Sequence, residues 1–349
     1  MEDIEKIFAE KHSLSQKWHA RACRSIPNGV THDLRNLKPF PLYISHAKGS
    51  KKWDLNGNEY IDYPLALGPV TLGYNYPAVN EAITKQLNDG ITFSLMHPLE
   101  VELSELLVDI IPCAEMVRFG KNGSDVTSAA VRVARAYTGK DKIACCGYHG
   151  WQDWYIGTTT RSLGVPDCIK KLTIPFEYNN IQSLEKIFYE NKNEVAAVVI
   201  EPVGVMPPKN NFLKEVKEVA HKNDAVLIFD EIVTGFRIAL GGAQEYYGVT
   251  PDLAVYAKGI AAGGKPAALV GEEEVMKAIA GGPHGAKGVF QSGTYNDCTE
   301  GLASAIAAMK TLKELNKKGG YQKLSQLTVK MSEGIQNAFK SRGLPCHIN

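Results

Sequence analysis

From about residue 76 onward, stretches with apolar residues at helical spacing alternate with short, unbroken apolar runs. The helical stretches cover 77–89, 98–110, 125–137, 181–191 and 211–222, and the runs fall at 116–119, 142–146, 195–200, 225–229, 253–257 and 267–270. Runs this short and continuous suit strands buried on both faces, and the intervening helices supply the crossovers that parallel strands need. The pattern predicts an α/β domain whose mainly parallel sheet is covered by helices on both faces. Ahead of it, residues 2–25 read as a charged amphipathic helix with Ile4, Ile7, Phe8 and Trp18 on its apolar side. Residues 51–63 read as a β-hairpin, because Asn56-Gly57 supplies the positive φ angles of a tight primed turn. Beyond Glu300 the chain turns helical again over 301–315 and 320–341, and an extended segment is expected to begin at Leu344. The expected plan is an amino-terminal segment and small domain (1–65), a large α/β domain (66–310), and the start of a carboxyl-terminal small domain (311–349), whose carboxyl-terminal part looks incomplete.

Charge and cysteine narrow the class of protein. Lys and Arg total 39 against 38 Asp and Glu, a net charge of +1, so neither nucleic acid nor an anionic membrane is expected as a partner. The longest apolar run, 195–200, is far too short to span a bilayer. The amino terminus is charged and has no apolar segment for secretion. Seven cysteines show no C-x-x-C spacing, and Cys145 and Cys146 read as reduced core residues. The histidines form no metal-ligand cluster, so no metal is expected. These features point to a cytoplasmic protein.

The candidate chemistry sits where the apolar runs stop. The run Ala225-Val-Leu-Ile-Phe ends on Asp230, and Leu253-Ala-Val-Tyr-Ala ends on Lys258. In open α/β sheets ligands bind outside the carboxyl ends of the strands. A lysine beside apolar walls loses solvation and becomes a nucleophilic amine, and an aspartate at the same rim suits a pyridinium nitrogen. By themselves the two residues equally suit the ends of two core strands. Other runs carry polar signatures at the same end. After Val117-Arg-Phe119 come Gly123 and Ser124 at a helix start, which suits either an anion or ordinary capping. After 142–146 come Tyr148, His149 and Trp151 between glycines, rings that suit either a planar cofactor or loop packing. Glu201 follows 195–200. Thr294 follows a Gly-rich stretch, Gly281–Gly285, expected to be mobile.

Taken together, these segments resemble one family. Asp-Glu-Ile-Val-Thr-Gly-Phe-Arg at 230–237, Ala-Lys-Gly-Ile-Ala-Ala-Gly-Gly at 257–264 and Arg-Val-Ala-Arg-Ala-Tyr-Thr-Gly at 132–139 are similar to class III pyridoxal-phosphate aminotransferases of fold type I. Within that class the resemblance is strongest to the glutamate-1-semialdehyde 2,1-aminomutase group, through Ile26-Pro-Asn-Gly-Val30, Arg35 and Asp54–Tyr63 as well. It runs from about residue 26 to 310. The resemblance implies pyridoxal 5′-phosphate as cofactor. It also implies that Lys258 bonds the cofactor and later moves a proton, and that Asp230 keeps the pyridine nitrogen protonated. Ile232 and Tyr148 are implied on the two ring faces, with His149 beside Tyr148 in the cofactor site. Gly123 and Ser124 are implied at the phosphate, Thr294 at the phosphate across a dimer interface, Glu201 near the ring oxygen, and Arg35 at a substrate carboxylate. Lys258, Asp230 and Tyr148 would carry the catalysis.

The sequence departs from the family in several places, and segment 151–160 differs from the aminomutase's gating loop. The phosphate turn reads Lys121-Asn-Gly-Ser-Asp125 in place of Asn-Ser-Gly-Thr-Glu, which keeps the hydroxyl. Tyr295-Asn-Asp-Cys-Thr299 replaces Leu-Ser-Gly-Asn-Pro after Thr294. Val233 stands where many class III transaminases have glutamine, which favours the aminomutase-like branch. The implied function is ping-pong transfer of an amino group, through the pyridoxamine form, between a small amino compound and a carbonyl acceptor in a homodimer with shared active sites. The alternatives are intramolecular transfer of the aminomutase type and a non-catalytic binding or assembly module.

Overall fold

The computed structural model describes residues 4–280 and 288–348, so the glycine-rich stretch 281–285 lies outside the described residues. Spatial proximity divides the chain into two compact units, Met1–Pro77 and Ala78–Asn349.

In the first unit the expected helix over 2–25 is two helices, α1 (Ile4–Lys11) and α2 (Ser13–Ala22). The break falls at His12, whose backbone leaves helical geometry and whose buried ring lies 2.9 Å from Asp54 Oδ2. Asp54 also accepts from the amides of Asn56 and Asn58 and from the Tyr60 hydroxyl. It thereby ties α2 to a three-stranded antiparallel sheet of β1 (Ile44–Lys48), β2 (Lys51–Asp54) and β3 (Glu59–Ile61). The hairpin forms where expected, but not through a tight primed turn: four residues separate β2 from β3, φ is positive at Gly57 and not at Asn56, and the Gly57 amide donates to Asp54 O at 3.1 Å. The polar strand β1 has no apolar run and was not foreseen.

The second unit is built on a seven-stranded sheet of β4 (Met116–Gly120), β5 (Lys142–Cys146), β6 (Thr173–Pro175), β7 (Val195–Ile200), β8 (Val226–Asp230), β9 (Leu253–Tyr256) and β10 (Ala267–Gly271). Its order is β4-β10-β9-β8-β7-β5-β6. Every pairing from β9 to β6 is parallel, whereas β10 runs antiparallel to both of its neighbours. The connection from β9 to β10 carries only a single short 3-10 turn, too little for the crossover a parallel strand requires. Every residue of β7, β8, β9 and β10 is buried, as in a sheet covered on both faces.

Helices cover the sheet. In chain order these are α3 (Pro77–Asp89), α4 (Pro98–Ile110), α5 (Gly123–Thr138), α6 (Asp153–Ile156), α7 (Asp167–Lys170), α8 (Ile181–Glu190), α9 (Phe212–Lys222), α10 (Ala243–Tyr247), α11 (Glu273–Met276), α12 (Thr299–Lys317) and α13 (Gly320–Lys340). Helix α5 packs its small buried residues, among them Ala130 and Ala134, against Val199, Ile228 and Val255. Residues alternating with these, such as Val198, Leu227 and Phe229, point to the opposite face, where α9 lies against β7 and β8. Helix α12 braces the turn after β9, with the Ser304 hydroxyl donating to Ala261 O at 2.8 Å. No helix among the described residues is long and apolar enough to cross a membrane.

Candidate active site

Because β4, β5, β7, β8 and β9 all run the same way, their carboxyl ends open on one side of the sheet. Five of the segments singled out in the sequence meet there.

Asp230 is the last residue of β8 and is buried. Its Oδ2 lies 2.8 Å from His149 Nδ1, and its Oδ1 accepts from the Ile232 amide at 3.1 Å. His149 is held in turn by stacking on Trp154 and an edge contact with Tyr155. Its other nitrogen, Nε2, is buried with no hydrogen-bond partner. The carboxylate is therefore oriented by two contacts and backed by an imidazole.

Lys258 follows β9 with φ at +42°, a left-handed conformation that an L-residue adopts only when its surroundings enforce it. Burial lowers its pKa; the Asp230 and Glu201 carboxylates oppose that shift and the Arg237 guanidinium adds to it. An amine kept partly desolvated and flanked by carboxylates can act both as nucleophile and as proton carrier. Glu201 follows β7 and accepts from the Tyr148 amide at 2.8 Å. Burial raises its pKa, against the pull of that amide. Gly147, at φ +115°, makes the approach possible, since a Cβ there would lie 2.7 Å from Glu201 Oε2.

The phosphate candidates stand at the start of α5. Asn122 caps the helix in a reciprocal pair with Asp125, which uses the Asp125 amide and leaves the first-turn amides of Gly123 and Ser124 as the helix's orphan donors. The dipole of a sixteen-residue helix favours an anion at this end. At Gly123 the backbone runs close to Ile232, since a Cβ there would lie 2.6 Å from Ile232 Cδ1 unless that side chain moved. At Gly150, φ is +98° and a Cβ would fall 2.2 Å from Ser124 Oγ. Gly123, Ser124, Tyr148, His149, Glu201, Asp230, Ile232 and Lys258 thus form one connected group.

Two candidates remain. Thr294 is exposed, in a turn before α12. Arg35 belongs to the first unit, is exposed, and donates to Thr31 Oγ1 at 3.0 Å. Two further residues carry roles that the linear pattern did not reveal. Glu231 is wholly buried and faces away from Asp230. It accepts from the Thr234 hydroxyl and from the Ala243 and Gln244 amides, fixing the loop that leaves β8. Burial raises its pKa, opposed by those donors. A second acid directly after a strand-end acid was the available signal, because alternation aims the two in opposite directions. Arg237 sits close enough to Lys258 to affect its pKa, and only the loop's path brings it there.

The residues present suit pyridoxal phosphate: an oriented buried carboxylate for the ring nitrogen, an amine opposite, and a helix amino terminus with a hydroxyl for the phosphate. Fold and site together define an α/β enzyme that works on amino groups through a phosphorylated, planar cofactor. The class-III aminotransferase family profile matches residues 34–344, and the chain belongs to that family. It is 39% identical to a glutamate-1-semialdehyde 2,1-aminomutase of Archaeoglobus fulgidus, over 96% of this chain and 81% of the other. It is 38% identical to a 3-aminobutyryl-CoA aminotransferase of Cloacimonas acidaminovorans, over 98% of this chain and 83% of the other. A transaminase solved with pyridoxal phosphate bound superposes with a TM-score of 0.88 at 28% identity, covering 95% of this chain and 80% of that one. The protein is a pyridoxal-phosphate-dependent enzyme of amino-group transfer, using an amino donor and a carbonyl acceptor. The non-catalytic reading gives way to this one.

Proposed function

We propose that the chain is an aminotransferase exchanging an amino group between two small molecules by a ping-pong mechanism, with the residue roles that follow. The observation that carries these roles is the convergence of Lys258, Asp230 with His149, and the α5 amino terminus at one set of strand ends. Lys258 would hold the cofactor through its amine, Asp230 would hold a proton on the ring nitrogen, and Ser124 with the Gly123 and Ser124 amides would take the phosphate. When bound, the cofactor supplies an electron sink for the bond broken at the substrate carbon. Lys258 Nζ would then carry the proton, burial having lowered its pKa from the ordinary value. Tyr148 and Ile232 would confine the ring, with Glu201 at its oxygen side. Arg35 is the candidate for a substrate carboxylate.

The aminomutase alternative is supported by Val233 and by the Archaeoglobus fulgidus relative. Product balance separates the two. The holoenzyme is incubated with a panel of amino donors, with absorbance and products followed together. Aminotransfer releases the donor's carbonyl counterpart in step with loss of the cofactor's absorbance, whereas a donor converted only to its positional isomer overturns the intermolecular reading.

The proposal includes a cytoplasmic homodimer in which Thr294 serves the partner's phosphate. In support, Thr294 is exposed at the rim of a cavity of about 830 Å³ that also takes in Leu95 and Met96, whose side chains are 78% and 77% exposed. Mixed dimers of Thr294→Ala and Lys258→Ala chains test it. The intact-lysine site there should bind cofactor as the parent does, and affinity as weak as in the Thr294→Ala homodimer defeats the cross-dimer role. As to organisation, residues 1–65 and 311–349 would belong to small domains flanking a large domain at 66–310. In support, α13 buries none of its side chains.

A further inference from the structure

Most of the strand-end site is fixed by the sheet, since Asp230 ends β8, Glu201 directly follows β7 and Lys258 comes two residues after the end of β9. The stretch that carries Thr294 is different. Residues 288–298 form no helix or strand, and 294–297 make a turn in which the Asn296 amide donates to Gly293 O at 3.0 Å. What fastens the part of this stretch before the turn is a set of side-chain hydrogen bonds to two elements, while Cys298 at its far end has its Sγ 3.9 Å from Thr92 Oγ1. β4 is the last strand of the sheet, so one edge of its backbone has no neighbouring strand. Gln291 occupies that edge. Its Nε2 donates to Phe119 O at 3.0 Å and its Oε1 accepts from Arg118 Nε at 3.1 Å. Arg118 Nη2 donates to the Gln291 carbonyl at 3.2 Å. From α5, Arg132 Nη1 donates to the Phe290 carbonyl at 2.9 Å. One backbone bond, from the Val289 amide to Ala278 O at 2.7 Å, completes the attachment.

β4 and α5 are also the two elements that the Gly123–Ser124 turn connects. The loop bearing Thr294 is therefore mounted on the frame of the phosphate turn, through Gln291 three residues before the threonine. We propose that Gln291 is a positioning residue for Thr294, with Arg118 and Arg132 as its supports, and that this clamp sets cofactor affinity without itself touching the cofactor. The proposal rests on the assignment of Thr294 to a phosphate. Fixing an exposed hydroxyl in advance removes the ordering entropy that binding would otherwise oppose. Without the Gln291 side chain the same hydroxyl remains, but the segment loses two of these three hydrogen bonds to β4 and keeps the one from Arg118 Nη2 to the backbone carbonyl of residue 291.

The whole chain, stripped of cofactor and retitrated with pyridoxal 5′-phosphate by protein fluorescence, gives the dissociation constants of four proteins: the parent, Thr294→Ala, Gln291→Ala and the double variant. Loss of one or two hydrogen bonds predicts that each single variant binds about 5- to 30-fold more weakly. Because Gln291 acts only through Thr294, the double variant should bind no more weakly than Thr294→Ala. A merely structural effect of Gln291 would instead add to that of Thr294→Ala, and full additivity overturns the proposal. So does a Gln291→Ala protein with parental affinity when Thr294→Ala is weakened. If Thr294→Ala itself binds as the parent does, the phosphate assignment fails first and the clamp with it, an outcome distinct from the other two. Should Gln291→Ala not fold, Arg132→Ala carries the same comparison. It should weaken binding about 3-fold, again without effect in the Thr294→Ala background, and Arg132→Lys, which keeps a donor for the Phe290 carbonyl, should restore it.

Discussion

His149 Nδ1 lies 2.8 Å from Asp230 Oδ2, with the imidazole wholly buried and the carboxylate nearly so. The two residues come from different strand ends, and the contact joins an aromatic loop to the carboxylate proposed for the ring nitrogen. A carboxylate fixed in this way has no freedom to turn from a cationic partner, which is what pre-organised electrostatic stabilisation requires.

Asp230→Asn should therefore lower kcat by about 100- to 1000-fold, the scale for removing one pre-organised charge contact, with assembly unchanged by sedimentation. His149→Ala should lower it by a smaller factor, about 10-fold, since the carboxylate remains but its orientation is lost. Equal losses in the two variants would show that the imidazole does more than orient Asp230.

Lys258→Ala should abolish turnover while cofactor still binds through its phosphate. Borohydride reduction of the parent followed by peptide mapping should place the label on Lys258, and a label on Lys265 would reassign the amine.

Gly150→Ala should weaken cofactor binding by about 10-fold or more. The substitution forces an L-residue into φ +98° and drives a Cβ to 2.2 Å from Ser124 Oγ, and left-handed strain alone amounts to about 1–3 kcal/mol. Equilibrium dialysis reads the loss. Ser124→Ala in the same background should cause little further weakening, because the hydroxyl is already displaced.

Glu201 has a pH-dependent signature. Burial raises its folded pKa above the ordinary value of 4.5, so between those two values the folded chain binds more protons than the unfolded one. Its ionisation then destabilises the apo-protein as pH rises through that window. Glu201→Gln keeps an acceptor for the Tyr148 amide and removes the charge. Its melting temperature should exceed the parent's at pH 7, and the gap should close as pH falls toward 4.5. A gap independent of pH would mean that packing, not ionisation, separates the two proteins.

Much of this protein was legible in its sequence. Buried parallel strands are unbroken apolar runs, and a run's end is a local event, so the positions of Asp230, Lys258 and Glu201 at strand ends followed from hydrophobicity alone. The hairpin over 51–63 and the helices at 77–89 and 98–110 were equally local, the helices set by 3.6-residue periodicity, though the hairpin's turn type was not foreseen. Short or polar elements escaped: β6 has three residues, β1 lacks an apolar run, and the break at His12 depends on Asp54, far along the chain.

What only the tertiary structure decided were relationships that cross strands. Periodicity says that a strand exists but not which strand lies beside it. It could not show that β10 reverses direction or that β4 ends the sheet with an edge free for Gln291. Nor could it show that His149 reaches Asp230, that the Tyr148 amide meets Glu201, or that Gly150 yields space to Ser124. Those contacts depend on strand order and register, which arise from packing the whole core at once. The sequence therefore set which residues reach the rim of the sheet, and the packed core set which of them touch.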